Sequence, residues 1–441
     1  MERDLTYISI NKALEPYLEF ELKYYINYLE YEDIYLIRTK SINSIPVILE
    51  RIEGLTLVGN MTFNSFLFSS EKFNLLLEVL ELSPYKSFVY PDYKKTIVNI
   101  SESFKKFYGK ATKYETIKEI DSVLDENVSH VIFVVLDGLG SCFLNKNTKF
   151  FSKYKVSNLS AVVPATTANA IPAFDNSEFG SKTLYLAWQM YFKQFKCHYE
   201  LFSGEGYYDK TIQKKDITNI FKREYFYDSL DVSVSKIMPS FSEGGYTSIN
   251  DMFKKTLLST KNKKTFTYVY CDEPDHSLHA YGDTKFSRNL IKTYDERFEQ
   301  LSKNLDKDTV MIITADHGHI DCVHVKLYLF KEITSMYKTL PAFEGRFVTF
   351  FIKDKYLNVF RETFNRYFNQ FYNIYSKSEL LSSGILGEGP YNLELKDYLG
   401  DFTAVAKSDL YLCSLEGHNS ISHHAGMTEK EMTTPLIIFK K

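Results

Sequence analysis

The chain has 441 residues, a formal net charge of −3 and a pI of about 6.4. That is long enough for a full core and more than one domain. It carries no lysine-rich block for nucleic acid or an anionic membrane, and no apolar run of membrane-spanning length. Its five cysteines are scattered without disulfide-framework or zinc-ribbon spacing, which suits a reducing compartment. The start, Met1-Glu2-Arg3-Asp4-Leu5, is acidic and lacks a basic region followed by an apolar core. A cytoplasmic protein without a membrane or nucleic-acid partner is expected.

Residues 1–85 alternate aromatic-rich strand candidates (Ile34–Ile37, Leu55–Val58, Phe63–Phe68) with an amphipathic helix expected over Glu71–Leu82. They hold no clustered His, Cys or paired acid, and read as a small α+β appendage for oligomerisation or partner binding. Ser83-Pro84 marks its boundary. Two helical patterns then lead to Val131–Leu136, six apolar residues that read as a strand buried on both faces, the signature of a parallel sheet. Leu159–Val163 reads as a second buried strand, stopped by Pro164. Phe266–Tyr270 and Val310–Ile313 are two more, separated by an amphipathic helix over Thr284–Leu305. A strand (Arg346–Ile352) and a helix (Tyr356–Tyr372) between His317 and His424 suit an inserted cap of about 325–415. Pro435–Phe439 closes the chain as a strand.

Three of these strands deliver acid at their ends. Val131–Leu136 runs into Asp137-Gly138, Phe266–Tyr270 into Asp272-Glu273-Pro274-Asp275, and Val310–Ile313 into Asp316-His317-Gly318. In open α/β sheets, ligands bind beyond the carboxyl ends of the strands. The histidines cluster at the same places: His276 and His279, then His317, His319 and His324, then His423 and His424. Asp275 and His279 are one helical turn apart, which puts both on one face. Oxygen and imidazole donors together suit Zn2+ best, with Mn2+ or Co2+ as substitutes. Behind Pro164, the small-residue run Ala165-Thr166-Thr167-Ala168-Asn169-Ala170 fits a helix N-terminus, where free N–H groups favour an anion. A threonine there caps the helix, serves as nucleophile, or does both.

The order Asp137-Gly138-x-Gly140, Pro164-x-Thr166-Thr167, Glu273-Pro274-Asp275-x-x-x-His279, Ala315-Asp316-His317-Gly318 and His424-x-Gly426 resembles the alkaline phosphatase superfamily. Its closest branch is the type I phosphodiesterase/nucleotide pyrophosphatase group. The resemblance covers about residues 87–441. It implies an α/β fold, an α/β/α sandwich with a mostly parallel central sheet and the inserted cap, so that residues 86–441 form one metal-dependent phosphoesterase domain. It also implies two divalent ions, one held by Asp137, Thr167, Asp316 and His317, the other by Asp275, His279 and His424. Three carboxylates and a threonine alkoxide would balance the four positive charges. Thr167 becomes the nucleophile. Where the family has a Leu-Thr-Gly-Leu-x-Pro-like segment, this chain has Ile171–Asn176, and Asn169 is the candidate for the family's phosphate-binding asparagine. His319, Asp321 and His324 are expected as solvated loop residues, with a role around the ligands or a third ion site as alternatives.

The expected function is hydrolysis of a small phosphodiester or nucleotide phosphoanhydride through a covalent phospho-threonine. The alternatives are a phosphomonoesterase or metal-dependent mutase of the same superfamily, and a non-catalytic scaffold that keeps the fold. The threonine speaks against the former, and seven chemically competent ligands against the latter.

Overall fold

The computed structural model describes residues 9–10, 12–14, 20–23, 34–215, 217, 220–221, 223–416 and 420–441. The expected appendage of residues 1–85 therefore lies partly outside the described residues.

Alternation of side chains along the strand Val131–Leu136 decides the architecture. Val131, Phe133 and Val135 pack on one face against helices Ile97–Phe107 and Thr167–Asn176. Ile132, Val134 and Leu136 pack on the other, against Lys285–Lys303, Ile249–Ser259 and Lys149–Tyr154. All six are buried, and each such side chain contributes about 1.5–3 kcal/mol by leaving water. The result is an α/β/α sandwich. Its six-stranded sheet runs in the order Ser233–Ile237, Thr265–Cys271, His130–Leu136, Thr309–Thr314, Thr433–Lys440, Lys155–Ser160. The first four are parallel, and Thr433–Lys440 runs antiparallel to both neighbours.

Register places the chemistry. Leu136 pairs with Cys271 and Val135 with Thr314, so the three central strands end at nearly the same level. Asp137, Asp275 and Asp316 consequently leave the sheet at one edge. Thr433 pairs with Ser160, which brings the segment entering the last strand, with His424, to the same edge as the chain leading to Thr167.

Elsewhere the pairing differs from expectation. The helix expected over Glu71–Leu82 is instead a strand, Asn74–Val79, lying between Ile34–Thr39 and Ser65–Ser69. The run Leu75-Leu76-Leu77 suits either period. Burial of Leu75, Leu77 and Val79 follows period two, because pairing with strands distant in sequence outweighs local propensity. The second buried strand spans Lys155–Ser160, N-terminal to the expected Leu159–Val163, and as an edge strand it buries only Leu159. The helix expected over Tyr356–Tyr372 is limited to Phe360–Phe368, and Tyr372 opens a strand.

The inserted region builds a four-stranded antiparallel sheet from Tyr337–Glu344, Phe347–Ile352, Phe402–Ala406 and Tyr372–Ser376. Its Phe350, Phe364 and Phe368 share one hydrophobic cluster with Phe66, Phe68, Leu75 and Leu77 of the N-terminal five-stranded sheet. No helix among the described residues is long and apolar enough to cross a membrane.

Candidate metal centre and active site

Asp137 follows the central strand directly, and Gly138 turns the chain with φ +73°. A Cβ at Gly138 would lie 2.8 Å from the His319 ring and 3.0 Å from Asp275 Cα, so only glycine permits this packing. Asp316 closes the neighbouring turn. Its Oδ1 accepts the backbone N–H groups of Gly138 (3.2 Å) and His317 (3.0 Å), while its buried Oδ2 has no hydrogen-bond partner. His317 Nε2 lies 3.4 Å from Asp137 Oδ1 and 3.5 Å from Asp316 Oδ2.

Thr167 opens the helix Thr167–Asn176. Its Oγ1 stands 3.2 Å from both oxygens of Asp137 and 3.1 Å from His317 Nε2. Thr166, one residue earlier, donates instead to Glu344 Oε1 (3.1 Å) on the hairpin of the inserted region. Asp275 and His279 lie on the helix Asp275–Tyr281, with His279 Nε2 3.5 Å and His424 Nε2 3.8 Å from Asp275 Oδ1. The donor atoms thus form two groups, Asp137 with Asp316 and His317, and Asp275 with His279, His319 and His424.

These groups fit divalent ions. Tetrahedral ligands at about 2.0–2.2 Å from an ion lie roughly 3.3–3.6 Å from one another, close to the spacings around Asp137 and between His279 and Asp275. Among the described residues no lysine or arginine lines the cleft, so the clustered carboxylates and the orphaned Asp316 oxygen have no side-chain ammonium or guanidinium partner there. Burial, then repulsion from Asp316 and Asp275, pushes the Asp137 carboxyl well above its ordinary value. Tyr270, its own hydroxyl raised by burial and then by Asp137, stays protonated and donates to Asp137. Burial, then the neighbouring His317, holds the His424 imidazole well below its ordinary value, in the neutral form a metal needs.

Asn169 does not line the cleft. It is buried against the helix start, donates to the Pro164 carbonyl (2.9 Å) and abuts Gly180. His319 is a correction of the opposite kind: expected in a solvated loop, it is fully buried beside Asp275. His423 is buried too, stacked on Tyr411 with ring centroids 3.8 Å apart. Asp321 is exposed and accepts the Asp283 backbone N–H. Tyr270 sits at a legible strand end, but nothing in the sequence points to Glu344, which arrives from the inserted hairpin.

A family model for type I phosphodiesterase/nucleotide pyrophosphatase matches residues 187–428. The chain belongs to this family. The family is metal-dependent, and the matched span contains Asp275, His279, Asp316, His317 and His424, whereas Asp137 and Thr167 precede it. No curated protein matches the sequence. Among solved structures the chain is similar to human ectonucleotide pyrophosphatase/phosphodiesterase 5, with 16% identity over 70% of this chain and 87% of that one and a TM-score of 0.55. An inactive form of the murine protein in complex with AMP gives 15%, the same coverage and 0.54. Phosphonoacetate hydrolase from Sinorhizobium meliloti 1021, in complex with phosphonoformate, gives 14%, 71% and 90% coverage, and 0.50. These likenesses establish the alkaline-phosphatase-like fold.

Around the two donor groups lies a cleft of about 550 Å³, walled in part by Trp188, Tyr207, Phe343, Glu344 and Tyr411. Glu344 Oε1 accepts the Trp188 N–H (2.7 Å) as well as Thr166, and its Oε2 is buried without a partner. Burial pushes its carboxyl up to about 7 against these hydrogen bonds. An acid whose folded pKa is raised adds stability below its unfolded value, and that stability is lost as pH rises through the folded one. Glu344→Gln should therefore raise the melting temperature at pH 8, while at pH 4 the difference from wild type vanishes. Thermal scans across that range check it.

Behind the centre, buried Arg346 donates to both oxygens of Glu431 (2.6 and 2.7 Å) and to the carbonyls of Ser408 and Leu410. Glu431 in turn accepts from Gly426 (2.8 Å), two residues from His424, and its carbonyl accepts from Gly318. Arg346→Ala would leave the buried Glu431 carboxylate without its counter-charge, so a loss of about 3–5 kcal/mol is expected in denaturant titration.

Proposed function

We propose that this chain hydrolyses a phosphodiester or phosphoanhydride by way of a covalent phospho-threonine at Thr167, with one divalent ion at each donor group. The observation that carries the reading is the position of Thr167 Oγ1: at a helix N-terminus, 3.1–3.2 Å from Asp137 and His317, with the second donor group in the same cleft. Family membership supports a phosphoester hydrolase. The residues proposed for one ion are Asp137, Thr167, Asp316 and His317, and for the other Asp275, His279 and His424. Zn2+ suits these oxygen and imidazole donors, and Mn2+ is the substitute. When bound, the ions would lower the pKa of the Thr167 hydroxyl and stabilise charge on the phosphoryl and leaving oxygens.

The chain's own residues do the rest. Asp137 and His317 hold the Thr167 hydroxyl at the helix start, where backbone N–H groups and the dipole favour the phosphoryl anion. Tyr270 fixes the Asp137 oxygen that faces it. Thr167 Oγ1 forms the new bond to phosphorus as the bond to the leaving oxygen breaks, and water later cleaves the threonine ester. The aromatic wall of Trp188, Tyr207, Phe343 and Tyr411 receives the ester substituent.

A panel of aryl phosphodiesters, matching monoesters and nucleotides, each with Zn2+ or Mn2+, tests this. The diester should be cleaved faster, by kcat/KM, than its monoester. The reverse preference would move the chain to the monoesterase branch.

A further inference from the structure

The inserted hairpin turns two successive side chains into the cleft. In a regular strand Phe343 and Glu344 would face opposite sides. Phe343, however, adopts φ +72°, a left-handed conformation costly for an aromatic residue, and both side chains line the cleft. Gln189 secures this turn, its Nε2 donating to the Phe343 carbonyl (2.7 Å). The Glu344 carboxylate is half satisfied. Its Oε1 accepts the Trp188 N–H (2.7 Å) and the Thr166 hydroxyl (3.1 Å), whereas Oε2 is buried without a partner. Aromatic rings surround it. The Tyr411 ring rests on the next residue, where a Cβ at Gly345 would meet it at 2.6 Å. Burial and then the Glu344 charge push the Tyr207 hydroxyl up to about 12, which puts Tyr207 near the same carboxylate. Among the described residues no lysine or arginine lines the cleft to neutralise it.

We propose that this wall is a subsite for an organic cation, so that the preferred substrate is a phosphodiester whose substituent ends in a quaternary or methylated ammonium group. The inference rests on the phosphodiesterase reading of the cleft. Ring faces attract an alkylammonium ion through their quadrupoles, and a carboxylate left without a counter-charge adds to the attraction. The further phosphates of a nucleotide would meet the Glu344 charge and be repelled. Glu344 holds Thr166, next to Thr167, so the cation would sit close to the phosphorus, a spacing that suits a short amino alcohol.

The test gives zinc-loaded protein two aryl phosphodiesters, one esterified with choline, the other with the uncharged isostere in which carbon replaces the ammonium nitrogen. The choline diester should be cleaved with a kcat/KM about tenfold or more above its isostere. In Glu344→Gln, whose amide keeps an oxygen for Thr166 and Trp188, that ratio should fall toward one. Binding has its own readout, because Trp188 is the single tryptophan of the chain. Tetramethylammonium chloride should change its fluorescence saturably where sodium chloride does not, and Glu344→Gln should require about tenfold more. Equal rates on the two diesters in wild type, or no saturable response to tetramethylammonium, would overturn the proposal. Faster cleavage of a nucleotide diester than of the choline diester would overturn it too, and give the wall to a nucleobase. A Glu344-dependent tetramethylammonium response without hydrolysis of any diester would keep the cation subsite and sink the phosphodiesterase reading instead.

Discussion

Thr167→Ala is expected to lower kcat by about a thousandfold or more, the scale of deleting a nucleophile, while Thr166→Ala costs roughly threefold to tenfold. Thr166 is the extended residue just before the helix and Thr167 its first helical residue, so the two side chains part. Thr167 Oγ1 lies among Asp137 and His317, and in the proposed reaction its loss would remove both the attacking oxygen and a ligand. Thr166 points to Glu344, which would still accept the Trp188 N–H after the change. Steady-state kinetics on one diester, with both variants loaded with metal, reads the difference. Similar losses in the two would mean that Thr166 also reaches the reacting atoms.

Asp137→Asn should separate activity from stability. Activity is expected to fall by about a thousandfold or more, as for removal of a member of a catalytic unit. Metal-free protein, however, should become more stable near neutral pH. The Asp137 carboxyl is raised by burial and by repulsion from Asp316 and Asp275. Its contribution to stability is thus present below the unfolded pKa and lost as pH rises through the folded one. Asparagine removes the charge and keeps an oxygen for the Tyr270 hydroxyl. Melting in the presence of a chelator should therefore occur higher for the variant at pH 7–8. Added zinc should raise the wild-type midpoint strongly and that of the variant little. A variant less stable than wild type under chelation would show that the buried carboxylates do not repel.

The acids at the ends of the strands were legible because burial on both faces leaves a plain signature in Val131–Leu136 and Val310–Ile313. Parallel strands beside one another then bring their ends to one edge. The run of small residues behind Pro164 read as a helix start, which the structure shows, and the choice of Thr167 over Thr166 came from the family resemblance. What escaped reading depends on contacts made from far along the chain. His319 sits in a polar string that reads as loop, and it is buried only because Gly138, some 180 residues earlier, leaves room for its ring. Glu344 reaches the cleft from a hairpin whose register no local pattern announces. Asn169 has a residue type suited to phosphate, yet the helix start turns its amide to the Pro164 carbonyl. The leucines at 75–77 fit a helix and a strand equally, and only their pairing with Ile34–Thr39 decided between them.

The central claim is that phosphorus passes through Thr167. Metal-loaded protein is mixed with an activated aryl phosphodiester, quenched in acid within the first turnover and digested for mass spectrometry. The expected result is a phosphoryl ester on Thr167. Its appearance on Thr166, or release of product with no phosphorylated peptide at any quench time, would contradict that claim.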